Sequence, residues 1–345
     1  MDTHPNQGPV TVLVTGATGF VGSHTLTALS AMENVRVIAT CRNPARLSAH
    51  FQGEVRVGDL NDAGFRKRVL QDVNAVAHCA AWTAAWGHRT QSDKHHLRPA
   101  IQFIDDVIAA GVKRFVHISS TALNDRNTID DANSVGEVTP FFPHLHNVQR
   151  IEEYMRAHAD QSTTFVNMRL GFFVGSNYGI GILPMLLPRL KTHLVPWVSG
   201  GVTHLPLIDG RDIGQAMAYA ATVTGLNGYE AFNIIGPENP TVREAISFIH
   251  DEFGYPKPHF SVSFPIAYAF AWVMEKIDPI VWWDPLVTTS IIHFLENKHV
   301  SNVRAERILG YCPQHSWQQA VRQQVAEMNQ RQKKAMPMTS PIRME

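Results

Sequence analysis

The segment Thr15-Gly16-Ala17-Thr18-Gly19-Phe20-Val21-Gly22 spaces three glycines three residues apart, directly after the β-branched run Val10 to Thr15 and at the start of a helical pattern. In that setting each glycine has its own task. Gly16 allows a sharp turn, Gly19 lets the backbone approach a pyrophosphate, and Gly22 lets the helix pack close to the sheet. The unpaired N–H groups and positive dipole end of the helix then attract phosphate charge. The expectation is a dinucleotide held by Gly16, Thr18, Gly19, Phe20, Val21 and Gly22.

A second signal lies at the end of the next strand. An Asp or Glu there would accept a hydrogen bond from the ribose 2′-OH of NAD. This chain reads Ala39-Thr40-Cys41-Arg42, with no acid, and Arg46 follows. A guanidinium pairs with a 2′-phosphate that a carboxylate would repel. The expected cofactor is NADP(H), with NAD(H) as the alternative if Arg42 is an ordinary solvated arginine. The 18 histidines are scattered, and only His95-His96 and His144/His146 are close in sequence. Without an HExxH or a Cys/His ligand spacing, no metal site is expected.

Strands and helical stretches alternate around these residues. Val35 to Thr40 precedes a helical Pro44 to His50, Val55 to Val57 precedes Ala63 to Leu70, Ala75 to Cys79 precedes Leu97 to Ala110, and Arg114 to Ile118 follows. That alternation predicts an α/β fold, a Rossmann doubly wound parallel sheet. Asn124 to Pro143 reads as a loop, Leu145 to Ala157 as a helix and Thr164 to Leu170 as a strand. Asp212 to Thr222 is helical, Ala231 to Ile235 is a strand, and Thr241 to Phe253 opens with a Thr N-cap and Glu244 in a capping box. The reading assigns 8–175, with a returning strand near 203–236, to the dinucleotide domain. A smaller, mainly helical substrate domain takes 176–202 and 237–330, and 331–345 is a disordered tail.

Composition narrows the partners. Thirty basic and thirty acidic residues cancel, so nothing draws the chain to nucleic acid by bulk charge. Three cysteines, with no CxxC pair, fit a reducing, cytoplasmic setting. No run reaches the roughly 18 apolar residues of a spanning helix. Phe260 to Leu295 is nevertheless very apolar, with Trp272, Trp282 and Trp283. It suits a lipophilic pocket lining, a homodimer face, a peripheral membrane anchor, or the plain core of a second domain.

These residues together resemble the extended short-chain dehydrogenase/reductase family, in the branch of 3β-hydroxysteroid dehydrogenases, dihydroflavonol reductases and nucleotide-sugar epimerases, along roughly the whole chain. The resemblance implies that Asp59-Leu60 contacts adenine and that Cys79, Ala80 and Ala81, after His78, lie along the cofactor. Ala39 to Pro44 is similar to the NADP-binding turn of the dihydroflavonol reductases. The family's strand-end hydroxyl falls on Ser120, with Ser119 and Thr121 beside it, and Thr83, Ser120 and Tyr178 are expected against substrate. Arg169-Leu170-Gly171 resembles the family's Arg-Pro-Gly.

The family's Tyr-x-x-x-Lys pair occurs nowhere in the chain. Aligned on Glu153, as the acid that follows the Lys by four, its places fall on Leu145 and Gln149. Leucine carries no proton, and Gln149 can hydrogen-bond a ribose but supplies no charge. Two repairs are open: His146 with Arg150, rotated by about 100° on the helix, or His144 from the loop. Tyr154, farther down the helix, is expected to pack. Sparse charge in the C-terminal half argues against a nucleotide sugar, so the expected substrate is a lipophilic or aromatic carbonyl, alcohol or activated alkene. The rival is a dinucleotide-binding member that is not a reductase: a lyase, isomerase or cyclase, or a sensor or scaffold.

Overall fold

In the computed structural model the described residues are 9–82, 89–124, 132, 135–136, 142–159, 162–277, 287–296 and 300–335. The first half contains β1 (Val10–Thr15), α1 (Phe20–Ser30), β2 (Val35–Cys41), β3 (Glu54–Val57), α2 (Ala63–Val69), β4 (Ala75–His78), α3 (Arg89–Ser92), α4 (Arg98–Ala109), β5 (Arg114–Ser120), α5 (Pro143–Ala157) and β6 (Thr164–Leu170). There follow β7 (Phe172–Val174), α6 (Ile182–Leu190), β8 (Trp197–Val198), β9 (Leu207–Asp209), α7 (Gly210–Thr222), β10 (Tyr229–Ile234) and α8 (Val242–Phe253). The chain continues through β11 (Ser261–Val262), α9 (Phe264–Ile277), α10 (Thr289–Phe294), α11 (Val303–Leu309) and α12 (Trp317–Ala335).

Seven strands form one parallel sheet in the order β10-β6-β5-β4-β1-β2-β3. β1 is fully buried apart from its first residue, so its β-branched and aliphatic side chains serve both faces at once. One core packs β1, β2 and β6 against α1 and α7; the other packs β4 and β5 against α2, α4 and α5. The strand order reverses between β1 and β4, which opens a crevice at the carboxyl ends of those strands. A third apolar cluster joins α6, α8 and α12 to β7 and β9.

Several segments depart from the sequence reading. Pro44 to His50 is a single 3₁₀ turn, Pro44–Arg46, capped by the Asn43 side chain accepting from Ala45 N, and Leu47 then turns extended. The helix before β5 begins earlier than Leu97, and a π-helical turn at Asp93–Leu97 joins α3 to α4. Most of the Asn124 to Pro143 loop lies outside the described residues.

Gly16 has φ +60°, and a Cβ there would lie 2.7 Å from the backbone of Cys79 and Ala80. The turn after β1 therefore touches the end of β4. A Cβ on Gly22 would overlap the Gly16 carbonyl oxygen, so this glycine accommodates the turn rather than the sheet. Gly22→Ala should lower the unfolding free energy by about 1–3 kcal/mol through this overlap, as read from the urea midpoint; an unchanged midpoint would contradict the packing.

Candidate functional site

The crevice is a cavity of about 440 Å³. Its walls are the glycine turn at Gly16, Thr18 and Gly19, the β2 end with Arg42 and Arg46, the β3 end with Asp59 and Leu60, and the β4 end with Cys79, Ala80 and Ala81. Deeper, His78, His96 and Phe103 line it. The turn is held by one hydroxyl. Thr15 Oγ1 accepts from Cys79 N at 3.1 Å and Ala80 N at 3.2 Å and lies 2.9 Å from His78 Nδ1. Having accepted two N–H groups, it gives its own proton to Nδ1, which leaves His78 a neutral Nε2–H tautomer.

The β3 end rests on a second anchor. Asp59 Oδ1 accepts from Asn61 N and Nδ2, while the buried Arg66 donates to the Leu60 carbonyl and pairs with Asp106. Arg42 and Arg46 are exposed beyond the neighbouring β2 end. These walls fit a dinucleotide: side-chain-free backbone at the glycines, cations beyond β2 and no acid at the β2 end. Phe20 and Val21 line a different surface. The Phe20 ring packs on Tyr178 at 4.5 Å and on Phe173 at 5.8 Å, and Val21 is buried in the core. Tyr178 thus stands against Phe20, where burial pushes its phenol up to about 12. Thr83 lies outside the described residues.

α5 requires the largest correction. Glu153 is exposed and accepts from Gln149 Nε2 at 2.9 Å, so Gln149 is engaged on the outer face rather than at the cavity. The buried acid is its neighbour, Glu152. Its carboxylate takes a two-pronged bond from Arg169, at 3.1 and 2.7 Å, and a third from Ser119 Oγ at 2.5 Å. Arg169 also donates to Asn124 Oδ1, and Asn124 Nδ2 to Asn233 Oδ1. Both members of the pair are essentially inaccessible, and they clamp α5 to β6. Counted from Glu152, the places four and eight residues back are Val148 and His144. Two glutamates adjoin, the sequence expectation counts from Glu153, and only tertiary packing shows that the buried one is Glu152.

Leu145 and Val148 are buried with Ala122, Leu123 and Phe142. Phe294 covers this cluster, its ring edge-on to Phe142 at 5.2 Å and to Phe172 at 5.3 Å. Ser120, at the β5 end, accepts from Ala122 N through its hydroxyl, which leaves its proton to donate. His146 is half-buried, and Arg150 approaches Asp93 at 3.9 Å on the surface. Tyr154 donates to Asp105 at 2.5 Å and packs at the edge of the core. His144 meets His96, with ring centroids 4.8 Å apart.

A buried polar row crosses the sheet. Thr15, His78, His117 and Asn167 are successive cross-strand partners on β1, β4, β5 and β6. Sequence patterning does not show it because the four residues sit on separate strands and only the strand register aligns them. Burial lowers His78 and His144 to about 4 and His96 to about 3, and holds His117 well below the usual range. Among the described residues no group could hold a metal ion.

Two tests follow. Glu152→Ala should cost about 3–5 kcal/mol by stranding Arg169, measured by urea unfolding. The folded imidazoles titrate below their unfolded value, so the unfolded chain binds more protons as pH falls. Their stabilisation is complete above about pH 6.5 and is lost between about pH 6.5 and 4. Urea midpoints should drop across that window, and His117→Leu should flatten the drop; a flat wild-type profile would contradict the burial.

A profile of the NAD dependent epimerase/dehydratase family matches residues 12–234. The 2-alkyl-3-oxoalkanoate reductase of Stenotrophomonas maltophilia is 25% identical over 326 residues, covering 90% of this chain and 97% of that protein. Among solved structures, a nucleoside-diphosphate-sugar epimerase from Pseudomonas aeruginosa superposes with a TM-score of 0.73 at 18% identity, covering 93% of this chain and 98% of that one. The UDP-glucuronic acid 4-epimerase of Bacillus cereus, in complex with UDP-glucuronic acid and NAD, superposes at 0.69 and 17% identity, with 93% and 99% covered. With the glycine turn, the strand order and nearly two-thirds of the chain inside the matched span, this protein belongs to the NAD dependent epimerase/dehydratase family.

Proposed function

We propose that the chain is an NADP(H)-dependent oxidoreductase of the short-chain dehydrogenase/reductase type, acting on a lipophilic or aromatic carbonyl, alcohol or activated alkene. The observation that carries this is the cleft itself, which sets a glycine turn and two arginines at one end and His78, His96, Ala100 and Phe103 deeper in; the separate aromatic cluster of Phe142, Phe172 and Phe294 beyond the β5 and β6 ends supports an apolar substrate. The reductase name of the Stenotrophomonas relative supports the reaction class. When bound, the nicotinamide would supply or accept a hydride. Gly16, Thr18, Gly19, Cys79, Ala80 and Ala81 hold the dinucleotide, and Arg42 and Arg46 take the 2′-phosphate. Phe142, Phe172 and Phe294 exclude water and receive apolar surface, while Ser120 donates to the substrate oxygen.

The proton donor is non-standard in this reading. His144 stands where counting from Glu152 places the family's tyrosine, and Val148 supplies no cation at the lysine's place. Burial keeps the His144 imidazole neutral and, by lowering its pKa to about 4, makes it a weak base, so the slow proton transfer of a non-standard donor is what this reading expects. The second reading, a dinucleotide-binding protein without redox turnover, draws on the same substitution of an apolar side chain for a charge.

NADPH absorbance, followed with a panel of apolar ketones and enones, tests the first reading. Turnover is expected, and tight cofactor binding with no turnover across the panel would favour the second. Arg42→Ser should weaken NADPH binding by about 10–100-fold, the loss of one charge-assisted contact, and leave NADH binding within roughly threefold. Equal losses for both cofactors in calorimetric titrations would refute the 2′-phosphate assignment.

A further inference from the structure

Helix α9 turns Ala267, Ala271 and Met274 inward, where the two alanines pack with Ile292 of α10. Its other side is apolar as well. Ile266, Phe270 and Val273, at spacings of four and three, are 62%, 50% and 46% exposed, and Trp272 is 42% exposed. The one acid of the helix, Glu275, faces inward and accepts from Thr289 N at 2.8 Å and Thr289 Oγ1 at 2.9 Å. The outward side therefore carries no acid, and its cation, Lys276, lies over the Trp272 ring at 5.6 Å.

Two physical arguments select the occupant of this face. A 14-residue helix is about 21 Å long and roughly 10 Å wide, a projected face of about 200 Å². A stable protein dimer covers about 800 Å² on each partner, so the stripe is small for a second copy. A lipid surface sets no such minimum. An aliphatic stripe bordered by a tryptophan and a lysine, with no acid, matches the gradient from acyl chains to anionic headgroups. No described helix is long and apolar enough to cross a membrane, so the helix would lie in the interface.

We propose that the outward face of α9 docks on an anionic membrane surface, with Ile266, Phe270 and Val273 at the acyl boundary and Trp272 and Lys276 among the headgroups. Because α9 packs on α10, whose Phe294 packs on Phe142 and Phe172, the docked bilayer lies beside that aromatic cluster.

The test is flotation of the full chain with vesicles of phosphatidylcholine and phosphatidylglycerol, with neither cofactor nor substrate present. The wild-type chain should float, and a Phe270→Ser, Val273→Ser variant with an unchanged circular dichroism spectrum should lose at least about tenfold in vesicle affinity. Lys276→Gln should weaken binding only on anionic vesicles. A wild-type chain that stays unbound, or a double variant that floats equally well, overturns the proposal. So does sedimentation velocity showing a vesicle-independent dimer that the double variant dissolves, since the occupant is then a second copy.

Discussion

The contact on which the rest depends is the approach of the Gly16 turn to the β4 end, where a single methylene would collide with the Cys79 and Ala80 backbone. Parallel strands leave their carboxyl ends facing one crevice, and this contact brings the β1 and β4 ends together on its floor. Thr15 completes it by taking two backbone N–H groups into one hydroxyl, and the proton it then donates fixes the neutral tautomer of His78. The glycine turn and the first histidine of the buried row, His78, are parts of one hydrogen-bonded unit. Burial of Cys79 beside it raises the thiol to about 12, so this cysteine contributes backbone rather than nucleophilicity.

A second organising interaction is the Glu152–Arg169 pair. A buried ion pair is poor at adding stability but costly to break, because either partner alone is an uncompensated charge. Here it fixes the rotation and height of α5 relative to β5 and β6, with Ser119 as its third member. That rotation sends Leu145 and Val148 into the apolar cluster, His144 towards His96 and Gln149 to the surface. Which side chains of α5 turn inward follows from the helical face the clamp selects.

Charge and apolarity divide the crevice. The end near β2 and β3 has arginines and a hydrogen-bonded Asp59, and the deeper end is lined by His78, His96, Ala100 and Phe103. A zero net charge for the whole chain is compatible with strong local differences, because fields in a cleft depend on the nearest groups.

The sequence by itself determined the parallel α/β sheet, the glycine turn, the capping box at Thr241, the basic turn after β2 and the absence of Tyr-x-x-x-Lys. Each is carried by local residue types or by a periodicity of two or 3.6, which neighbours in the chain are enough to set. Tertiary structure alone decided which of two adjacent glutamates is buried, and with it which residues of α5 turn inward. It also decided that Tyr178 packs on Phe20, that Thr15, His78, His117 and Asn167 align across four strands, and that α9 keeps an apolar face outward. These depend on strand register, helix rotation and contacts between residues far apart in sequence, and a one-residue shift in any of them turns a different side chain to the site.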